Sequence, residues 1–183
     1  RHRLGEDLER FVARQRPIIG ICNGFQALVK SGLLPALDDV SRQQVTLTHN
    51  ESGRFECRWV DLEPNPHTSS VWLRGLDAPI HCPVAHGEGR FAAPSEIILA
   101  LENEGMVALR YRVPDVDRPY PANPNGSIND IAGITNQSGT ILGLMPHPEN
   151  HVVSQQHPNR HRGESAGSGL PLFENGVKYA AQT

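Results

Sequence analysis

Apolar positions recur about one helical turn apart through residues 2–16. Leu4, Leu8, Phe11 and Val12 share one face, and Glu6, Asp7, Glu9, Arg10 and Arg14 lie off it, which predicts an amphipathic helix ended by Pro17. The period then collapses. Ile18, Ile19, Gly20 and Ile21 read as the end of a buried strand. FQALVK follows with helical composition, and Gly32 and Pro35 supply its stop. Between strand and helix stands Cys22, inside Gly-x-Cys-x-Gly.

Beyond Pro35 the spacing shortens to two. Gln43–His49 alternates around Val45 and Leu47, and Arg54–Leu62 carries Phe55, Cys57 and Trp59 on one face. Val71–Leu73 and Ile80–Ala85 read as further short strands, separated by turn-rich NESG and EPNPHTSS. HGEGRF, from His86 to Phe91, reads as a loop of the kind that binds ligands at a strand end, or as a plain turn. Ser95–Glu104 reads as a helix with Ser95 as N-cap and Gly105 as stop, and Met106–Val113 as a strand. The Pro- and Asn-rich run Pro114–Gly126 reads as an exposed loop. Ile128–Thr135 and Thr140–Met145 read as strands joined by the hairpin NQSG, the second running into Pro146-His147-Pro148-Glu149-Asn150. His151–Gly169 reads as a polar loop, and Leu172, Phe173, Val177 and Ala180 as the apolar side of a closing helix. No internal repeat is present. Alternating strands and helices over 183 residues predict one α/β domain spanning residues 1–183.

Composition narrows the picture. An apolar content of 38% and a charged content of 20% are those of an ordinary globular protein. A net charge of −3 without a basic stripe argues against nucleic acid, and no apolar run is long enough for a membrane span. Three widely separated cysteines make no disulfide framework, and a reactive thiol suits a reducing, cytoplasmic compartment. RHRLGEDLER lacks the apolar core of a signal peptide, so the N-x-S sequons at Asn50, Asn125 and Asn136 read as chance matches.

The chemistry gathers at two places. A strand that bends sharply into a helix with Cys22 at the bend is a nucleophile elbow with Cys in place of Ser. The helix N-terminus favours a thiolate there, and the N–H of Asn23 can face a developing oxyanion. The competing reading is a buried structural Cys in a tight αβ turn. A thiol nucleophile needs a base and the base needs an orienting partner; His147 and Glu149, just past a strand end, are the candidates. A metal site drawn from His147, His151, His157 and His161 is the rival use. Their spacings match no compact zinc pattern, and Pro148 and Pro158 break helical presentation, so no metal is expected.

GICNGFQALVKSGLLP, NESGRFECRW, AHGEGRF, NPNGSINDIAGI and GLMPHPENH, in this order, closely resemble the glutaminase component of phosphoribosylformylglycinamidine synthase, a class I, triad-type glutamine amidotransferase. The resemblance runs from about Leu4 to the closing helix. It implies a flavodoxin- or Rossmann-like fold, a mixed sheet flanked by helices. It implies that Cys22 attacks the side-chain amide of glutamine with His147 as base and Glu149 as its partner, and that Gln26, His86 and Gly87 hold the substrate. Glu88 and Arg90 match the family pattern without an assigned role. The ammonia would pass to a large synthase subunit, with or without a small accessory subunit, which uses ATP and Mg to make formylglycinamidine ribonucleotide in purine synthesis; this chain itself would carry no cofactor. Members of the family have several strands and helices ahead of the opening helix, one bearing a Gly-Gly segment that supplies a second oxyanion N–H. Nothing here matches them, which implies a fragment with an open sheet edge beside the elbow strand. The other classes weighed are another class I amidotransferase, a different Cys hydrolase, and a scaffold that only binds the synthase. The intact Cys22, His147 and Glu149 argue against the scaffold.

Overall fold

A computed structural model describes residues 5–37, 43–162 and 167–182. In chain order the elements are α1 (Gly5–Ala13), β1 (Ile18–Ile21), α2 (Asn23–Lys30), β2 (Thr46–His49), β3 (Glu56–Pro64), β4 (Ile80–His86), β5 (Glu88–Ala92), α3 (Ser95–Asn103), β6 (Val107–Tyr111), β7 (Ile131–Thr135), β8 (Ile141–Leu144) and α4 (Leu170–Ala180), with short 3₁₀ turns between several of them. Six strands form one mixed sheet in the order β1-β8-β7-β6-β3-β4, and β2 pairs with β5 in a second, two-stranded sheet. β1 runs parallel to β8; the other neighbours in the large sheet are antiparallel. The predicted hairpin NQSG joins β7 to β8, closed by the Asn136 N–H donating to the Ile141 carbonyl and by Gly139 at φ 74°. Among the described residues no helix is long and apolar enough to cross a membrane.

Alternation along the strands builds a core on each face of the sheet. One face carries Ile131, Ile134 and Ile141 against Phe25, Leu28 and Val29 of α2 and Ile98 and Leu101 of α3, with Leu8 and Val12 of α1 packed at its margin. The other carries Val60, Leu62, Cys82, Leu142 and Leu144 against Leu172 of α4 and the buried turn Val71–Leu73. Every residue of β7 and β8 is buried, which is why both read as near-continuous apolar runs. β1 lies at the sheet edge among the described strands, and Ile18, Ile19 and Ile21 are only half-buried.

Several sequence expectations are corrected. The opening helix covers Gly5–Ala13 of the expected 2–16, and residues 1–4, with Leu4, lie outside the described residues. Val71–Leu73 is a 3₁₀ turn, because its backbone meets a hairpin turn, Val71 N–H to Gly139 O at 2.9 Å, rather than a strand. β3 keeps the alternation: Val60 and Leu62 enter the core, while on the other face Phe55 and Cys57 are exposed. HGEGRF is not a loop. It is the crossing from β4 in the large sheet to β5 in the small one, with Gly87 between them. Pro94 rather than Ser95 occupies the N-cap of α3. The end of Pro114–Gly126 is buried. Asn125 Nδ2 donates to Gly89 O at 2.9 Å and Tyr111 Oη at 3.1 Å, while Ser127 Oγ accepts from the Phe91 N–H at 2.9 Å. The expected polar tail contains buried His151 and His157, and Val177 on α4 is exposed.

Leu142, fully buried in β8, and Val116, 82% exposed in a loop, bracket the range of packing. Leu142→Ala is expected to cost about 2–5 kcal/mol and Val116→Ala less than about 0.5 kcal/mol, measured as the difference in urea unfolding free energy. Equal effects would place the core elsewhere.

Candidate active site

The elbow is as tight as its glycines suggest. Cys22 is the N-cap of α2 at φ 52° and ψ −108°, a left-handed region that costs a side-chain-bearing residue strain. Its N–H donates to Leu144 O at 2.9 Å and its own carbonyl accepts the first helical bond from Gln26 N–H at 3.1 Å. Gly20 is compelled by packing. A Cβ there would lie 2.7 Å from the backbone of Gly24 and strike the Leu28 side chain. Gly24 itself has open space where a Cβ would go. Gly20 lets the helix sit close on the strand, and Gly24 is the point where the helix backbone comes nearest to it.

The parallel register brings in the second group. Ile18 to Ile21 lie opposite Ile141 to Leu144, so both strands end at the same edge. One chain continues as Cys22 and the other as Met145, Pro146 and His147. His147 N–H donates to Pro83 O on β4 at 2.9 Å, and Pro148 opens the 3₁₀ turn Pro148–His151. The turn folds Glu149 back so that its Oε1 lies 2.6 Å from His147 Nδ1. With Nδ1–H donated to the carboxylate, Nε2 is the nitrogen left for Cys22. Nε2 is buried without a hydrogen bond of ordinary geometry. The Cys22 side chain nevertheless lies close enough to be the main cause, ahead of Glu149, that raises His147 to about 9 against the opposing effect of burial.

The other cysteines are placed differently. Cys57 is exposed on β3. Cys82 is buried in β4, and burial, with Glu149 and Asp61 acting in the same sense, pushes its thiol far above the ordinary range. Asn23, the first residue of α2, is exposed beside the elbow. Gln26 Nε2 donates to Glu88 O at 3.3 Å, tying the first turn of α2 to the His86–Glu88 segment. His86 is buried, its Nδ1 3.1 Å from Asn50 Oδ1. Burial lowers it to about 4, with the charge on His147 acting in the same sense. Gly87 has only the Phe55 ring at 3.8 Å near its open side. His147 and Glu149 are therefore in direct contact, with Cys22 close enough to act on the His147 charge, while Gln26, His86 and Gly87 form a flank joined to them through α2.

No local sequence pattern announces what holds this flank. Asn50 Nδ2 donates to His86 O at 2.8 Å, and Asn125 fastens Gly89 from the other side. In the sequence, Asn50 and Asn125 stand out only as sequon positions and motif letters. Also missed is the cluster in which Trp59 meets the rings of His81, His151 and His157 at centroid distances of 5.0, 5.2 and 4.7 Å. Among the described residues no three His, Cys, Asp or Glu side chains converge in a metal-binding arrangement.

Two histidines displaced in opposite directions from 6.5 make stability depend on pH. The stability contributed by His147 is complete below pH 6.5 and is lost as pH rises through about 9. His86 stays neutral when folded, so its contribution is complete above pH 6.5 and is lost as pH falls toward about 4. Urea unfolding across this range is expected to show His147→Gln flattening the alkaline decline and His86→Gln the acid one; parallel curves for all three proteins would contradict both assignments. At the elbow, Gly20→Ala is expected to cost about 1–3 kcal/mol, with Gly24→Ala much milder.

Residues 1–180 match the family model described as the CobB/CobQ-like glutamine amidotransferase domain. A phosphoribosylformylglycinamidine synthase subunit PurQ from Dehalococcoides mccartyi is 48% identical over 187 residues, covering 100% of this chain and 71% of that protein. The one from Treponema denticola is 44% identical over 191 residues, covering 95% and 70%. The solved structure of PurLQS from Thermotoga maritima includes a chain that superposes with a TM-score of 0.69 at 32% identity, covering 97% of this chain and 68% of that one. Elbow, register and likeness agree: the chain belongs to the CobB/CobQ-like glutamine amidotransferase domain family and, within it, to the PurQ subunits of phosphoribosylformylglycinamidine synthase.

Proposed function

We propose that the chain hydrolyses glutamine to glutamate and ammonia through Cys22, His147 and Glu149, and delivers the ammonia to a synthase partner that forms the amidine in purine biosynthesis. The observation that carries this is the meeting of a strained Cys22 at the start of α2 with a His147 that Cys22 and Glu149 together hold at about 9.

The steps follow from the geometry. His147, held at about 9, carries at Nε2 the proton given up by the thiol, and Glu149, 2.6 Å from Nδ1, stabilises the imidazolium. Cys22 Sγ attacks the side-chain amide carbon of glutamine, and the oxyanion faces the Asn23 N–H at the positive end of α2. His147 returns its proton to the leaving nitrogen, and ammonia departs. Water, deprotonated by the same imidazole, then opens the thioester to glutamate and the free thiol. An oxyanion donor of this kind is worth about 10²–10³ in rate. Gln26, His86 and Gly87 are assigned to holding the substrate. The hydrogen bond from Gln26 to Glu88 O supports this, because it sets the segment beside the first turn of α2. The His86 ring is buried against Asn50 and acts by shaping that segment. ATP and Mg belong to the partner's step, and this chain's part requires no cofactor.

With the synthase partner present, a chloroketone analogue of glutamine is expected to label Cys22 and neither Cys57 nor Cys82. Cys22→Ala is expected to abolish glutamine-dependent amidine formation and to spare the ammonia-dependent reaction. Cys22→Ala, His147→Ala and the double variant are expected to lose similar amounts of glutaminase activity, since they remove one unit. Multiplicative losses, or label on another cysteine, would overturn the assignment.

A further inference from the structure

The turn that carries Glu149 is held from outside the triad. It rests on the edge strand β4 at two carbonyls two residues apart. His147 N–H donates to Pro83 O at 2.9 Å, and His151 Nδ1–H donates to His81 O at 2.6 Å. Successive bonds to residues i and i+2 lie on one side of a strand, so the five-residue turn is fastened at both ends with Glu149 between them. His151 is only 3% exposed. Its ring meets Trp59 edge-on at 5.2 Å, its Nε2 is buried with no hydrogen-bond partner among the described residues, and the carbonyl at 2.6 Å requires Nδ1 to be the nitrogen bearing the proton. Ser168 braces the same anchor. Its hydroxyl donates to His81 O at 3.0 Å and accepts from the His81 N–H at 2.8 Å, and Gly169 N–H donates to His151 O at 2.9 Å. A second strut comes from Gln156. Its Nε2 donates to Glu149 O at 3.1 Å, while its Oε1 accepts from Val152 and Val153 N–H at 2.7 and 3.1 Å.

We infer that His151, with Gln156, is a positioning residue: its hydrogen bond to the His81 carbonyl on β4 fixes the turn that aims Glu149 at His147. The inference rests on the triad reading above and adds to it a group that touches neither substrate nor thiol. Glu149 is bound to follow its turn, because among the described residues Oε2 is buried without a hydrogen-bond partner and the contact to His147 is the side-chain hydrogen bond that orients the carboxylate. An orienter misplaced by a fraction of an ångström loses much of its effect on the imidazolium. Among the described residues the other groups that bear on this pair are Cys22 at the start of α2 and His86 and Cys82 on β4, and the substitutions below alter none of them.

The test compares His151→Leu, which removes the donor, with His151→Asn, whose Nδ2 can reoccupy the position of the imidazole Nδ1, and with Gln156→Ala on the exposed side. Each is made in the full chain and assayed with its synthase partner. The first readout is the titration of the His147 ring by ¹H–¹⁵N correlation, which requires no turnover. His151→Leu is expected to lower the midpoint from about 9 by roughly half a unit or more. His151→Asn should return it close to the parent value, and Gln156→Ala should move it in the same direction by less. The second readout is glutaminase kinetics, where His151→Leu should lower kcat about tenfold and leave the glutamine KM within about twofold. A folded His151→Leu with an unmoved midpoint, or an Asn variant no better than Leu, overturns the inference. If His151→Leu does not fold, Gln156→Ala decides, and an unmoved midpoint there overturns it equally. A parent chain that releases no glutamate while its His147 midpoint responds as described refutes the proposed function and upholds the positioning role.

Discussion

The parallel pairing of β1 with β8 is the constraint on which the site depends. Two strands remote in sequence finish side by side only if they run the same way and in register, and Ile21 opposite Leu144 meets that condition. The Cys22 N–H bond to Leu144 O extends the ladder one residue into the elbow itself. A shift of one residue would turn the β8 side chains to the wrong core and carry His147 away from the thiol. The rest of the sheet is antiparallel, so this one pair supplies the geometry that α/β sites use, with functional groups just beyond adjacent carboxyl ends.

Everything else stabilises that meeting or tunes it. The core under α2 holds the elbow in a backbone conformation that Cys22 would not choose alone. Gly143 in β8 lies directly beneath Phe25, where a Cβ would collide with the ring, so the helix can rest close to the strand that leads to His147. β4 takes two roles: its inward side chains fill the second core, and its carbonyls at His81 and Pro83 dock the His147–His151 turn. A sheet edge that would otherwise offer bare acceptors is thereby covered by the turn that carries His147 and Glu149.

How much of this is legible in the sequence varies with the range of the interaction. The elbow, the hairpin and most helices can be read from Gly-x-Cys-x-Gly, NQSG and short-range periodicity, because their signals are local. Cys22, His147 and Glu149 stand out because each occupies a constrained turn of distinctive composition. What cannot be read is what long-range packing decides. Alternation in β3 is visible, but which face it buries depends on α4 and the turn at Trp72, distant in sequence. HGEGRF looks like a loop because glycine and charge are common to loops and to a strand that changes sheets at Gly87. Asn125, His151 and His157 look like surface polar residues because their burial is compensated by partners such as Gly89 O and His81 O that no local pattern announces.

The strand register makes Cys22 and His147 one electrostatic unit. The most direct measurement is the titration midpoint of the His147 ring in the parent chain and in Cys22→Ala, followed by ¹H–¹⁵N correlation. A midpoint near 9 is expected in the parent, with a clear fall toward 6.5 when the thiol is removed, since Cys22 is the largest of the raising causes. An identical midpoint in the two proteins would contradict it.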